Sequence, residues 1–198
     1  MATSPNIRKK GQLVVLCGPS GVGKSTISRK LSQTMGMTYT ISATTRPKRP
    51  GDDAGKKYQF VSKEEFFRRL DRDEFLEYAE VYGEYYGTPK APVLADLTAG
   101  KDVLLEIDVQ GALQVRYHHP DSLLFFILPP DEPTLIKRLK ERGRDSDEEI
   151  SRRFRLAKGE IYMARGSRAF DHIVINDTVD GAVDQISRDI KQKKSGGL

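Results

Sequence analysis

The chain has 198 residues, a formal net charge of +5, 37% hydrophobic and 31% charged residues, and one cysteine. That length suits one compact domain with a sizeable core, or one domain with small insertions. No apolar run approaches a membrane span, the first ten residues lack the apolar core of a secretory signal, and a lone cysteine excludes an intramolecular disulfide.

Residues 1–11 read as a fraying tail. An apolar strand is expected over 12–17, with Cys17 as a small core residue rather than a nucleophile. It runs into Gly18-Pro-Ser-Gly-Val-Gly-Lys24-Ser25-Thr26, the full G-x-x-x-x-G-K-[ST] pattern of a P-loop, placed between strand and helix as that motif requires. Gly18, Gly21 and Gly23 permit backbone conformations that turn N–H groups inward around phosphate oxygens. The following helix aims its N-terminal N–H groups and positive dipole end at the same anion. Lys24 supplies positive charge for the β- and γ-phosphates, and the Ser25 hydroxyl can ligate Mg²⁺. Pro19, Ser20, Val22 and Thr26 complete the ATP-binding segment. The chain is therefore expected to bind ATP or GTP. Anionic nucleotides explain its positive charge as well as nucleic acid does.

The first helix runs to Met35 and stops near Gly36. Residues 39–42 are expected as one strand, and 44–57, rich in Pro, Gly, Lys, Arg and Asp, as a loop. Within it Arg46 and Arg49, held near prolines, either clamp a phosphate with their rigid donor forks or belong to a solvated basic loop. Tyr58 opens a short strand over 58–61 and could add a phenolic hydroxyl. Ser62-Lys-Glu-Glu65 is a capping box for a helix through Leu70, with Phe66, Phe67 and Leu70 on one stripe. Residues 77–86 suggest a hairpin, and Thr88-Pro89 a helix start running to Thr98.

A buried strand over 103–107 ends at Asp108, which either holds a metal-bound water or caps the next helix. Another strand follows over 123–128, then a helix over 133–142, a polar acidic stretch over 143–149, and a longer helix over 148–164. A strand over 172–175 and a helix over 179–193 close the chain. His118, His119 and His172 show no metal-ligand spacing. Strands alternating with helices argue an α/β fold with a parallel sheet flanked by helices. Ligands of such sheets gather beyond the carboxyl ends of the strands, so the P-loop, Asp108 and Asn176-Asp177 can share one cleft.

The chain closely resembles the guanylate kinase family from about Gln12 to about Lys191. The resemblance is carried by the P-loop, Ser42-Ala-Thr-Thr-Arg-Pro-Lys-Arg-Pro-Gly, Tyr58-Gln-Phe-Val-Ser, Glu74-Phe-Leu-Glu-Tyr, Tyr85-Tyr-Gly-Thr, Glu106-Ile-Asp-Val-Gln-Gly and Glu141-Arg-Gly-Arg. It implies a P-loop kinase of three parts. These are a core of residues 1–38, 89–130 and 165–198, a mixed α+β GMP-binding insertion over 39–88, and a helical lid over 131–164. It implies transfer of the γ-phosphoryl group of ATP to GMP with Mg²⁺ as cofactor. Ser42, Arg46, Arg49, Tyr58 and Tyr86 would hold the GMP phosphate. Glu77, Thr88 and Glu106 would face guanine, Glu77 accepting from N1–H and N2–H₂ and Thr88 donating to O6. Glu106 stands where other members carry Asp. Arg138, Arg142 and Arg153 match lid arginines that act with Lys24 and Arg46 in catalysis, whereas Arg144, Arg152 and Arg155 fit a solvated face. Asn176 lies where the family approaches adenine, and Asp108 would reach the metal through water. The expected partners are ATP and GMP, with dGMP and homo-oligomerisation left open, no nucleic acid and no membrane, in the cytoplasm. A ribose 1,5-bisphosphate kinase would share the P-loop but have no use for Glu77 and Thr88. A non-catalytic scaffold of the same fold would tolerate loss of Lys24 and Ser25, which this chain keeps.

Overall fold

The computed structural model describes residues 10–49, 52, 57–141 and 146–196. The expected tail at 1–9, the lid arginines Arg142 and Arg144, and parts of the basic loop lie outside the described residues. In chain order, strand β1 (Leu13–Cys17) leads through the P-loop into helix α1 (Lys24–Met35), which ends on Gly36 in a left-handed conformation. Strands β2 (Thr38–Tyr39), β3 (Ser42–Thr44) and β4 (Tyr58–Phe60) follow, then helix α2 (Lys63–Asp71), whose cap Ser62 accepts from the Glu65 N–H. The hairpin of β5 (Phe75–Val81) and β6 (Glu84–Pro89) turns on Tyr82 and Gly83, both at positive φ. Helix α3 (Lys90–Thr98), β7 (Val103–Glu106), α4 (Val109–His118) and β8 (Leu123–Leu128) come next. Helices α5 (Glu132–Lys140) and α6 (Asp147–Ser167), strand β9 (His172–Ile175) and helix α7 (Val179–Ser195) complete the order.

Five strands form one parallel sheet in the order β2-β7-β1-β8-β9. Alternation along β1 divides the core. Val14 and Leu16 face the cluster with Ile27 and Leu31 of α1 and Ile186 of α7. Leu13, Val15 and Cys17 face the other side, with Val93 and Leu97 of α3 and Val115 of α4. Both faces are covered, as the apolar strands imply. The Cys17 thiol is buried, and burial pushes its pKa well up, so it is a packing residue.

The remaining strands form a separate four-stranded sheet in the order β4-β3-β6-β5, with β3 and β4 parallel and β6 antiparallel to both its neighbours. Helix α2 packs its Phe66 on Phe75 at a ring separation of 4.5 Å, with Ala43, Val61 and Leu70 around them. The single strand expected over 39–42 is instead two. Thr38 and Tyr39 pair with β7 in the first sheet, and Ser42 to Thr44 pair with β4 and β6 in the second. The chain changes sheets at Thr40 and Ile41, and local composition carries no sign of that step.

Candidate active site

A cleft of about 700 Å³ lies along the carboxyl edge of the parallel sheet. Gly18, Pro19, Ser20, Gly21, Gly23, Lys24 and Ser25 form its floor. Ser42, Arg46, Arg49, Tyr58, Glu77 and Tyr86 form the wall contributed by the second sheet and the loop within it, and Glu106, Asp108 and Arg153 also line the cleft. Val22 is fully buried beneath the loop, Thr26 is exposed on α1, and Thr88, Arg138 and Asn176 sit behind the lining. Arg142 is outside the described residues.

The floor is the glycine-rich loop expected to cradle phosphate. Gly23 holds φ 93 at the entry to α1, a left-handed backbone that suits glycine and turns the loop's N–H groups inward. The Lys24 ammonium donates to the carbonyl oxygens of Gly18 and of Pro19. Asn176 supports the loop from below. Its side-chain amide is buried and donates to Val22 O at 2.6 Å, and its Oδ1 has no hydrogen-bond partner among the described residues. Arg138 donates to the carbonyls of Asn176 and Asp177 at 3.0 and 3.3 Å, fixing the turn after β9. Arg153 reaches from α6 to Ser20 Oγ at 2.7 Å.

On the wall, Arg46 pairs with Asp52 at 2.9 Å and lies 5.6 Å from the Tyr58 ring centre and 5.5 Å from that of Phe60. Asp52 also accepts from the Arg49 N–H at 2.7 Å, which, with the nearby guanidinium groups, holds its carboxyl below the usual range. Arg46 thus meets Asp52 through its guanidinium, and Arg49 through its backbone N–H. Deeper in, Glu77 is buried, and burial raises its carboxyl to about 7. The Thr88 hydroxyl donates to it at 2.6 Å. Thr88 therefore orients Glu77 and does not itself face the cleft. Gly111, in the first turn of α4, leaves room for this carboxylate; a Cβ there would overlap Glu77 Oε2.

Asp108 caps α4 by accepting from the Gly111 N–H at 2.8 Å while still lining the cleft, so it carries the structural role foreseen as one of its two readings. Burial raises its carboxyl. Glu106, which the resemblance puts beside guanine, has both oxygens engaged on the P-loop side. Oε1 accepts from Ser25 Oγ at 2.6 Å and from Lys57 Nζ at 3.0 Å, and Oε2 from the Tyr39 hydroxyl at 2.8 Å. Burial alone would raise Glu106, but the Lys57 charge, the Ser25 hydrogen bond and Lys24 hold it below the usual range. Ser25, Glu106 and Asp108 are hard oxygen donors of the kind Mg²⁺ takes, and the Ser25–Glu106 pair already binds a cation, the Lys57 ammonium.

Lys57, Glu149 and Glu160 are among the further residues that line the cleft without having been singled out. Lys57 belongs to a pair of lysines just before Tyr58. Glu149 and Glu160 share a face of α6 with Arg153, at i, i+11 and i+4, a spacing that helical periodicity would have exposed. Burial raises the Glu160 carboxyl to about 7, with Asp108 adding to the shift and Lys24 opposing it. Arg152, expected on a solvated face, also lines the cleft. It pairs with Glu149 at 2.8 Å and covers the Tyr82 ring at 4.8 Å. The tip of the β5–β6 hairpin thus touches α6 across the opening.

The sequence model of the guanylate kinase family matches residues 10–193. A guanylate kinase of Caldanaerobacter subterraneus subsp. tengcongensis is 48% identical over 183 residues, covering 91% of this chain and 87% of its own length. One from Gloeobacter violaceus is 45% identical over 201 aligned positions, covering 99% and 97%. The crystal structure of guanylate kinase from Anaplasma phagocytophilum superposes with a TM-score of 0.75 at 30% identity, covering 94% of this chain and 87% of that one.

Proposed function

The chain belongs to the guanylate kinase family, and on that premise we propose how its cleft divides the work of phosphoryl transfer. It is a nucleoside monophosphate kinase that transfers the γ-phosphoryl group of ATP to GMP, giving ADP and GDP. The observation that carries the division of roles is the shared cavity: the P-loop and the wall of Arg46, Tyr58 and Glu77 line one cleft of about 700 Å³. Donor and acceptor can therefore meet without leaving the protein.

Phosphoryl transfer asks mainly for alignment and charge stabilisation. The attacking group is already an ionised phosphate oxygen of GMP, so no general base is needed. The P-loop N–H groups and Lys24 hold the β- and γ-phosphates, with Arg153 arriving from α6. The Arg46 guanidinium releases Asp52, and Arg46 and Arg49 take the GMP phosphate, with hydroxyls from Ser42, Tyr58 and Tyr86. Glu77, fixed by Thr88, accepts from the guanine N1–H and N2–H₂. Adenine offers no such donor pair and would leave a buried carboxylate unpaired, which sets the selectivity. Asn176 acts by shaping the loop under ATP, and Arg138 by holding Asn176. Ser25 would hold Mg²⁺ directly and Asp108 through water. Bound there, the ion supplies charge neutralisation at the phosphate oxygens. We assign residues 39–88 as the acceptor-binding insertion and 131–164 as the lid, whose closure excludes water from the transfer. Among the described residues no helix is long and apolar enough to cross a membrane, and we assign the reaction to the cytoplasm.

The test is ADP release from ATP and Mg²⁺ with GMP, AMP, CMP, UMP and ribose 1,5-bisphosphate offered separately. Turnover confined to GMP is expected. Equal turnover with AMP would remove Glu77 and Thr88 from substrate selection.

A further inference from the structure

Lys57 belongs to no motif, yet its ammonium sits at the junction of the two halves of the cleft. Nζ donates to Ser25 Oγ at 2.7 Å and to Glu106 Oε1 at 3.0 Å. On the other side it lies 5.6 Å from the centre of the Tyr58 ring, the ring that Arg46 also approaches. The chain thus joins the second sheet to the P-loop through one charge, across 32 residues to Ser25 and 49 to Glu106.

The arrangement is satisfied as it stands. Ser25 donates to Glu106 and accepts from Lys57, and the nearly buried Glu106 carboxylate, 7% exposed, gains a countercharge. It also disfavours a second cation on Ser25. A divalent ion on the remaining lone pair of the hydroxyl would lie beside the ammonium bonded to the same oxygen and would repel it. Glu106 can keep its bond from Ser25 throughout, so only Lys57 has to leave. Its side chain is 35% exposed and has a flexible four-carbon stem, and its neighbour on the cleft wall is the Tyr58–Arg46 surface.

We propose that Lys57 is a positioning residue that couples the two substrates: it neutralises the Ser25–Glu106 pair until metal-bound ATP arrives, then passes to the acceptor phosphate. Each substrate thereby favours the other, because a displaced ammonium is best placed against a phosphate beside Tyr58. This rests on the assignment of Ser25 to the metal side and of Arg46 and Tyr58 to the acceptor side.

Calorimetric titration of GMP into the full chain, with and without Mg²⁺ and β,γ-imido-ATP, reads the coupling. Wild-type protein should bind GMP roughly tenfold tighter with the analogue present, within the usual span of coupling between sites. Lys57→Met keeps the stem and removes the charge, so the ratio should fall towards one. By paramagnetic resonance, nucleotide-free Lys57→Met should bind Mn²⁺ more tightly than wild type, because Glu106 has lost its countercharge. Wild-type coupling in the variant, unchanged Mn²⁺ affinity, or no coupling in a wild type that binds both nucleotides overturns the role of Lys57. A wild type that binds no GMP overturns instead the acceptor assignment beneath it. If Lys57→Met does not fold, reductive methylation of the wild type serves. Lys57 should react faster once Mg²⁺ and the analogue are bound, and an unchanged rate overturns the proposal.

Discussion

Thr88 Oγ1 donates to Glu77 Oε1 at 2.6 Å, between residues paired directly across β5 and β6. That cross-strand pair sets a carboxylate, buried among its neighbours, at the wall of a nucleotide cleft. The cost of burying the charge appears as a carboxyl raised from 4.5 to about 7.

The shift predicts opposite effects of Glu77→Gln on stability and on binding. A raised carboxyl favours the protonated form in the folded chain. The ionised group therefore costs stability as pH rises above 4.5, and the full cost is present above about 7. The neutral amide escapes that cost. Glu77→Gln should melt higher than wild type at pH 8 and close to it at pH 4. It should also raise the KM for GMP by about 10- to 100-fold, from loss of hydrogen bonds to a charged acceptor. Thermal melts at the two pH values, with GMP kinetics at pH 8, check both halves. A variant less stable than wild type at pH 8 would mean that an unseen positive partner holds the carboxylate.

Gly111→Ala tests the same carboxylate from the other side. Its Cβ would overlap Glu77 Oε2 at the first turn of α4. Either the helix start or Glu77 must shift, at a cost of about 1–3 kcal/mol typical of overpacking. The expected result is a lower melting temperature and a higher KM for GMP, with the KM for ATP unchanged. Equal loss for both substrates would place the damage at Asp108 and the P-loop instead.

Asn176 separates two roles that its position in the chain cannot. Its amide donates to the buried Val22 carbonyl, and a Cβ at Gly23 would come within 2.6 Å of the same nitrogen. Asn176→Ala leaves that carbonyl without its donor, at about 1–3 kcal/mol. Expected is a KM for ATP raised by about 5- to 100-fold, the KM for GMP unchanged, and the preference for ATP over GTP as donor intact. Loss of that preference would show that the amide reads the adenine ring.

What the sequence made legible follows from how local each signal is. The P-loop is contiguous, so its glycines, lysine and serine can be read together, and the strand and helix around it follow from apolar patterning. The division of residues 38–44 between two sheets depends on partners at β7 and β6, more than 40 residues away, and the local pattern suits either. Glu106 was placed by motif, yet its neighbours come from Ser25, Tyr39 and Lys57, each on a different segment. Thr88 shares the strand face of Glu77, its cross-strand partner 11 residues away, and gives its hydroxyl to that carboxylate. Such assignments depend on which face of a strand meets which sheet, and that is decided by tertiary pairing.

Lys24 remains the residue on which turnover should depend most. Its ammonium rests on the Gly18 and Pro19 carbonyls, so it is held inside the cradle where the donor phosphates belong. It is also the charge that opposes the upward shift of Asp108 and Glu160 in the same cleft. Lys24→Met keeps most of the stem and loses the charge. The kcat should fall by at least about 100-fold, the usual loss when a charge-stabilising donor is removed. GMP should still bind, because Arg46, Glu77 and Tyr86 lie on the other wall. Steady-state kinetics and GMP calorimetry on the same preparation decide the matter. A kcat within tenfold of wild type would mean that the loop's N–H groups and Arg153 stabilise the transferring phosphoryl group without Lys24. Loss of GMP binding would mean that Lys24 also holds the acceptor.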